Sequence, residues 1–253
     1  MGLVYAIANQ KGGVGKTTTT VNLGACIAEL GRQTLAVDLD SQCNSTVALG
    51  LGRDEHPSTY DCLCGDTSVA EAARPTPAVD NLWVVPANRD LAGAAVELPN
   101  LENSSYRLRE GLGAVRERFA ATLLDCPPSL GPVTVNALTA ADRAIVPVQA
   151  EYLALEGLVQ FLDTVQTIRR QTNPGLVLTG LLITMADERT RLAQDVENEL
   201  RTHFPELVLN TVVPRSVRIA ESPSFAIPIT EHAPGSRGAL AYRALAEEVL
   251  ARG

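Results

Sequence analysis

Gln10-Lys11-Gly12-Gly13-Val14-Gly15-Lys16-Thr17-Thr18-Thr19 is the stretch that decides the fold. It follows a short apolar run, Leu3 to Ala8, and precedes a helix-like pattern through Leu30. Strand, glycine-rich turn and helix in that order form the context of a phosphate-binding loop. Gly12, Gly13 and Gly15 let successive backbone N–H groups, through Val14 to Thr18, converge on phosphate oxygens, and the helix start adds partial positive charge. Lys16 is the expected point charge on the β- and γ-phosphates, and the Thr17 hydroxyl the expected Mg²⁺ ligand. The loop fits K-G-G-x-G-K-T-[ST], a tighter pattern than the general phosphate loop, with an extra lysine in front. Of the 21 Lys and Arg residues, two are lysine, Lys11 and Lys16, and both lie here. A compact ammonium fits between phosphate oxygens where a planar guanidinium does not, so each lysine is expected to do work that arginine cannot.

Working outward, Thr34 to Asp40 reads as a second strand ending in acid, after a helix stop at Gly31. Asp38 and Asp40, two residues apart, are expected to point to the same side of the strand end. Beside a triphosphate and Mg²⁺, one would orient the attacking water and the other bind or brace the metal shell. Ala121 to Asp125 is a buried strand closing on aspartate, followed by Cys126-Pro127-Pro128-Ser129. An acid so placed holds a Mg²⁺-bound water beside the loop, which makes Asp125 the metal-shell candidate. Further strands are expected at Leu82–Pro86, Ala144–Val148, Leu176–Thr184 and Thr211–Pro214. Helices are expected at Asp90–Leu98, Ser104–Phe119, Leu153–Arg170, Arg189–His203 and from Ser236 to Leu250. Residues 50–81 read as short helices and loops. Regular alternation of strand and helix implies βαβ units: one α/β domain over 1–253, with a central, mostly parallel twisted sheet flanked by helices on both faces. A chain that is 45% apolar but 4% aromatic suits such a Val-, Leu-, Ile- and Ala-rich core.

The double-lysine loop resembles the deviant Walker A motif of the ParA/MinD class of P-loop ATPases. So do Asp38-Leu39-Asp40-Ser41-Gln42-Cys43-Asn44 (family D-x-D-P-Q-x-N), Asp125-Cys126-Pro127-Pro128-Ser129, Pro214 to Pro223 (family P-R-N-x-R-x-S-E-A-P) and Ser236-Arg237-Gly238-Ala239. Nearly the whole chain is covered, and it is most similar to the short Soj-like chromosome-partitioning ATPases. The resemblance implies that Lys11 reaches the ATP of a partner subunit in a nucleotide-sandwich homodimer. It makes Lys16 the ordinary loop lysine, Asp40 the residue needed for hydrolysis and a metal-shell acid, and Asp38 a supporting acid. It places Pro214 and Arg215 at the adenine and ribose, and Glu221 near the nucleotide or the dimer seam. Arg189 and Arg218 correspond to arginines that bind double-stranded DNA without sequence preference. A ParB-type partner with a basic N-terminal tail would stimulate hydrolysis. Ser41, Cys43 and Ser216 depart from the family's Pro, Gly and Asn.

Composition limits the alternatives. A net charge of −8 is a poor bulk signature for a DNA binder, so any DNA contact must come from a local arginine patch or from a dimer that concentrates one. No apolar run reaches membrane-spanning length, and the start of the chain has no signal-peptide pattern, which points to the cytoplasm; association with the nucleoid is what the resemblance implies. The C-terminal helix carries Glu247 and Glu248 and lacks the basic amphipathic face of a MinD-like membrane anchor. A nitrogenase-iron-protein-like cluster would need a second cysteine to join Cys126. Five cysteines without paired metal spacing read as buried small hydrophobes. Related ATPases that position plasmids, carboxysomes or chemoreceptor clusters share every motif above, so the cargo stays open.

Overall fold

Along residues 4–8, Val4, Ala6 and Ala8 pack on one side and Tyr5 and Ile7 on the other, all buried. A strand buried on both faces must be covered twice, and helices do the covering. In a computed structural model, which describes residues 2–151, 154–187 and 189–253, the strands are β1 (Leu3–Ile7), β2 (Thr34–Asp38), β3 (Arg74–Pro75), β4 (Leu82–Val85), β5 (Ala121–Asp125), β6 (Arg143–Gln149), β7 (Val177–Ala186) and β8 (Val208–Pro214). They form one sheet in the order β3-β4-β2-β5-β1-β6-β7-β8, parallel throughout except for the antiparallel β3–β4 pair. The mostly parallel α/β architecture expected from the sequence is present.

The helices are α1 (Lys16–Glu29), α2 (Asn44–Ala48), α3 (Thr59–Cys64), α4 (Val69–Ala72), α5 (Ala94–Glu97), α6 (Arg107–Gly113), α7 (Pro132–Ala140), α8 (Ala154–Gln171), α9 (Arg191–His203), α10 (Val217–Glu221), α11 (Ile229–His232) and α12 (Arg237–Ala251). Leu23 and Ile27 of α1 and Tyr242, Leu245 and Val249 of α12 pack against Tyr5, Ile7 and Leu123 on one face of the sheet. Leu138, Phe161, Val165 and Leu200 lie in the core on the opposite face, with Val4, Val146 and Ile183.

Several boundaries differ from the sequence reading. The second strand stops at Asp38, so Asp40 lies in the loop beyond it. The helix expected over Asp90–Leu98 breaks into short turns around α5, where Gly93 and Pro99 interrupt it. The one expected over Ser104–Phe119 shrinks to α6, preceded by the left-handed Asn103 and weakened by Gly111 and Gly113. The last strand begins at Val208 and β7 runs on to Ala186, because pairing between β7 and β8 continues to the register Ala186–Pro214. The start expected at Leu153 for the helix that becomes α8 lies outside the described residues.

Both ends of the sheet are closed. β3 is two residues long and ends in Pro75. At the other edge, Glu248 of α12 accepts hydrogen bonds from the backbone N–H groups of Asn210 and Thr211, at 2.8 and 2.9 Å.

Candidate nucleotide and metal site

β1 lies between β5 and β6, and the loop that leaves its end is the one the sequence singled out. Gly13 and Gly15 have φ of 74° and 91°, left-handed values that glycine adopts without strain. Gly15 caps α1, whose first turn carries no acid, so its free N–H groups and dipole face the loop unopposed. Thr184 at the end of β7 donates to the Val14 carbonyl at 2.8 Å. Asn9 accepts from the Lys11 N–H at 3.0 Å and donates to the Pro147 carbonyl at 2.7 Å. Thr184 braces the loop from β7, and Asn9, just past β1, ties its start to β6, roles that only tertiary pairing reveals.

The two lysines occupy opposite environments. Lys16 is 7% exposed and donates across the loop to the Lys11 carbonyl at 2.9 Å. Burial lowers its pKa, and the Asp125 carboxylate opposes that shift. Lys11 points outward, its ammonium 3.3 Å from Glu151 in an exposed pair. Exposed pairs of this kind contribute at most about 1 kcal/mol, so the contact is readily exchanged for another.

The sheet order sets the acids. Asp38 and Asp125 end adjacent strands in register, and Asp125 is also in register with Ile7 at the root of the loop. Asp38 is fully buried and engaged in local structure: it accepts from Asp40 N–H at 3.1 Å, Thr46 N–H at 2.8 Å and the Thr46 hydroxyl at 2.7 Å. Asp40 is partly exposed, its carboxylate accepting from Gln42 N–H at 3.0 Å. The two acids therefore differ in exposure, because the strand ends at Asp38 and Asp40 lies in the loop beyond it. Asp38 fixes the loop and Asp40 is presented by it.

Asp125 accepts from the Ser45 hydroxyl at 2.6 Å through one oxygen. Its other oxygen is buried without a well-formed hydrogen bond, although the Thr17 hydroxyl lies close enough to ease its charge. Burial raises the pKa of both Asp38 and Asp125, and the Asp38 charge raises Asp125 further. A buried, under-coordinated carboxylate beside a threonine hydroxyl, with Asp40 near enough to add to the field, is a donor set of hard oxygens. Such oxygens are of the kind that suits Mg²⁺, and Thr17 and the aspartates are the groups that would hold it.

A groove of about 610 Å³ opens from Gly15 and Thr18 and is walled by Met185, Pro214, Arg215 and Tyr242. Pro214 and Arg215 line the same groove as Gly15 and Thr18 of the loop. The sequence reading missed Met185 and Tyr242. Met185, with φ of 52°, turns back toward Gly15 at the end of a long strand, a bend that its apolar surroundings in sequence conceal. Ser216 and Glu221 also border this groove. Glu221 lies 3.3 Å from Arg218 and 3.7 Å from His232.

Arg189 precedes α9 rather than opening it. Thr190 is the cap, accepting from Ala193 N–H, so Arg189 sits outside the helix dipole and forms a two-pronged pair with Asp187. Arg218 lies on α10, 64% exposed. Cys126 is fully buried, and no group of three or more His, Cys, Asp or Glu side chains placed to hold a metal ion by themselves occurs among the described residues. No helix among them is long and apolar enough to cross a membrane.

The chain is similar to known proteins over nearly all of its length. A family profile described as an AAA domain matches residues 2–178. The chain is 48% identical, over the full length of both, to the sporulation initiation inhibitor protein Soj of Bacillus subtilis. It is 51% identical to the chromosome-partitioning ATPase Soj of Thermus thermophilus, covering 98% of this chain and 95% of that one. A Mycobacterium smegmatis protein named cobyrinic acid a,c-diamide synthase, solved with a bound ATP analogue and magnesium, has a TM-score of 0.87 at 39% identity. That alignment covers 99% of this chain and 95% of the other.

Proposed function

Because the chain belongs to the Soj/ParA family of chromosome-partitioning ATPases, we propose that it is a switch whose grip on DNA is set by bound ATP. It takes ATP with Mg²⁺, pairs with a second copy around two nucleotides, and binds double-stranded DNA without sequence preference. Hydrolysis to ADP and phosphate, stimulated by a ParB-type partner through a basic N-terminal tail, resets it. The cycle runs in the cytoplasm, on the nucleoid, with residues 1–253 acting as one ATPase unit.

The observation that carries this reading is the contrast between the lysines. Lys16 is buried against its own loop, while Lys11 leans outward on an exchangeable contact with Glu151. Within one subunit, the backbone of Gly12 to Thr18 and the Lys16 ammonium hold the phosphates, and Pro214 and Arg215 border the base and sugar. Thr17, Asp40 and Asp125 would hold Mg²⁺, which neutralises developing charge on the phosphate oxygens. Asp40, presented by the loop that Asp38 fixes, orients the attacking water. Lys11 is left to complete the partner's site. The higher identities to Soj proteins favour partitioning over the amide chemistry named for the 39% relative.

Lys11→Ala tests the reading directly. It is expected to retain nucleotide binding, measured by equilibrium titration, and to lose the ATP-dependent shift from monomer to dimer in sedimentation. Unchanged dimerisation would place Lys11 outside the partner's site.

A further inference from the structure

Arg189, Arg215 and Arg237 line a cleft of about 590 Å³ between the end of β7 and the starts of α10 and α12. Among the described residues, Asp187 is the carboxylate that stands with them. It grips Arg189 in the fork arrangement, with Nε and Nη2 each 2.9 Å from a separate oxygen, and also accepts the Arg189 N–H at 3.2 Å. This is the geometry in which a guanidinium takes two oxygens of a phosphodiester. We propose that the cleft seats a backbone phosphate of DNA, that Arg215 and Arg237 add to Arg189 there, and that Asp187 is an internal stand-in anion that must give up Arg189 before DNA is held. This deepens, and rests on, the reading of Arg189 as a DNA contact.

Three observations bear on it. The Arg189 side chain is 89% exposed while Asp187 is 25% exposed, so the arginine can leave and the acid stays anchored. The Asp187 carbonyl accepts from both Thr190 N–H and the Thr190 hydroxyl at 2.9 Å, tying the acid to the cap of α9. Hydrogen bonds from Arg189 hold the Asp187 carboxyl down at about 2, with Arg215 adding to the effect, so the stand-in is ionised at any working pH.

The cleft also has a route to the nucleotide. Thr184 holds the Val14 carbonyl, Met185 abuts Gly15, the Ala186 carbonyl accepts from Arg215 N–H at 2.9 Å, and Asp187 comes next. Four consecutive residues thus run from the phosphate loop to the stand-in anion, and Arg215 borders both the nucleotide groove and the cleft. A shift of the loop on ATP binding is transmitted to the Asp187–Arg189 pair over that short span.

The test is the affinity of the full chain for a short random-sequence duplex, with and without ATP. Asp187→Asn keeps the size of the side chain and removes its charge. An exposed pair opposes release by a factor of about two to five, so nucleotide-free affinity should rise by about that factor or more. The ratio of affinities with and without ATP should fall, ATP binding should be unchanged, and the gain should vanish in Asp187→Asn/Arg189→Ala. Arg237→Ala should flatten the salt dependence of the dimer, lowering the log–log slope by about two. If Arg189→Ala loses DNA binding while Asp187→Asn binds no better than wild type, the stand-in role is overturned and the DNA contact survives. If Arg189→Ala binds as wild type does, the contact itself fails and the proposal falls with it. Should Asp187→Asn lower the melting temperature, Asp187→Ser decides by the same outcomes.

Discussion

Replacing Asp40 by alanine is expected to slow ATP turnover by about 10²–10⁴-fold, the range lost with a group that positions or deprotonates the attacking water. ATP affinity should hold at the wild-type level, and the ATP-bound dimer should persist on DNA. The expectation depends on the division of labour between the two acids. Asp38 carries the hydrogen bonds that shape the loop, three of them to Asp40 and Thr46, and Asp40 accepts one local bond from Gln42. Removing the Asp40 carboxylate therefore subtracts chemistry and leaves the scaffold. Single-turnover measurement of phosphate release is the check. A mutant that hydrolyses ATP at the wild-type rate would remove Asp40 from the mechanism.

Arg218→Glu is expected to abolish ATP-dependent DNA binding at physiological salt. On the proposed reading, reversing this charge removes one phosphate contact from each subunit and adds a repulsion, and pairing doubles both. The slope of log affinity against log salt should fall by about two or more per dimer. Nucleotide binding should survive, because Glu221 and Val217 border the nucleotide groove while Arg218 does not. An electrophoretic or anisotropy titration across salt concentrations is the measurement. Wild-type retention of DNA at low salt would move the binding patch elsewhere on the surface.

The motifs were legible wherever chemistry depends on neighbours in sequence. The phosphate loop, the strand ending in Asp125 and the helix starting after Ser236 are all local patterns, and each stands where the residues imply. What escaped was set by pairing across the chain. That Asp38 is buried while Asp40 is not follows from where β2 stops beside β5, and no spacing rule encodes it. Met185 and Tyr242 reach the nucleotide groove only because β7 and α12 lie beside the loop, though they are far from it in sequence. Arg189 was misplaced by two residues for a more ordinary reason. Thr190 is the better helix cap, and Asp187-Glu188-Arg189 reads equally well as a turn or as a first helical turn.

The closed margins of the sheet have a consequence for how copies crowd together. Exposed strand edges invite neighbours to add on by main-chain bonding, and a protein concentrated on a surface meets its own copies often. Here one margin is a stub ending in proline, and at the other a carboxylate already occupies two backbone donors. Ribbon-like polymerisation is disfavoured at both ends, which leaves the loop-bearing rim for the nucleotide-regulated pairing proposed above.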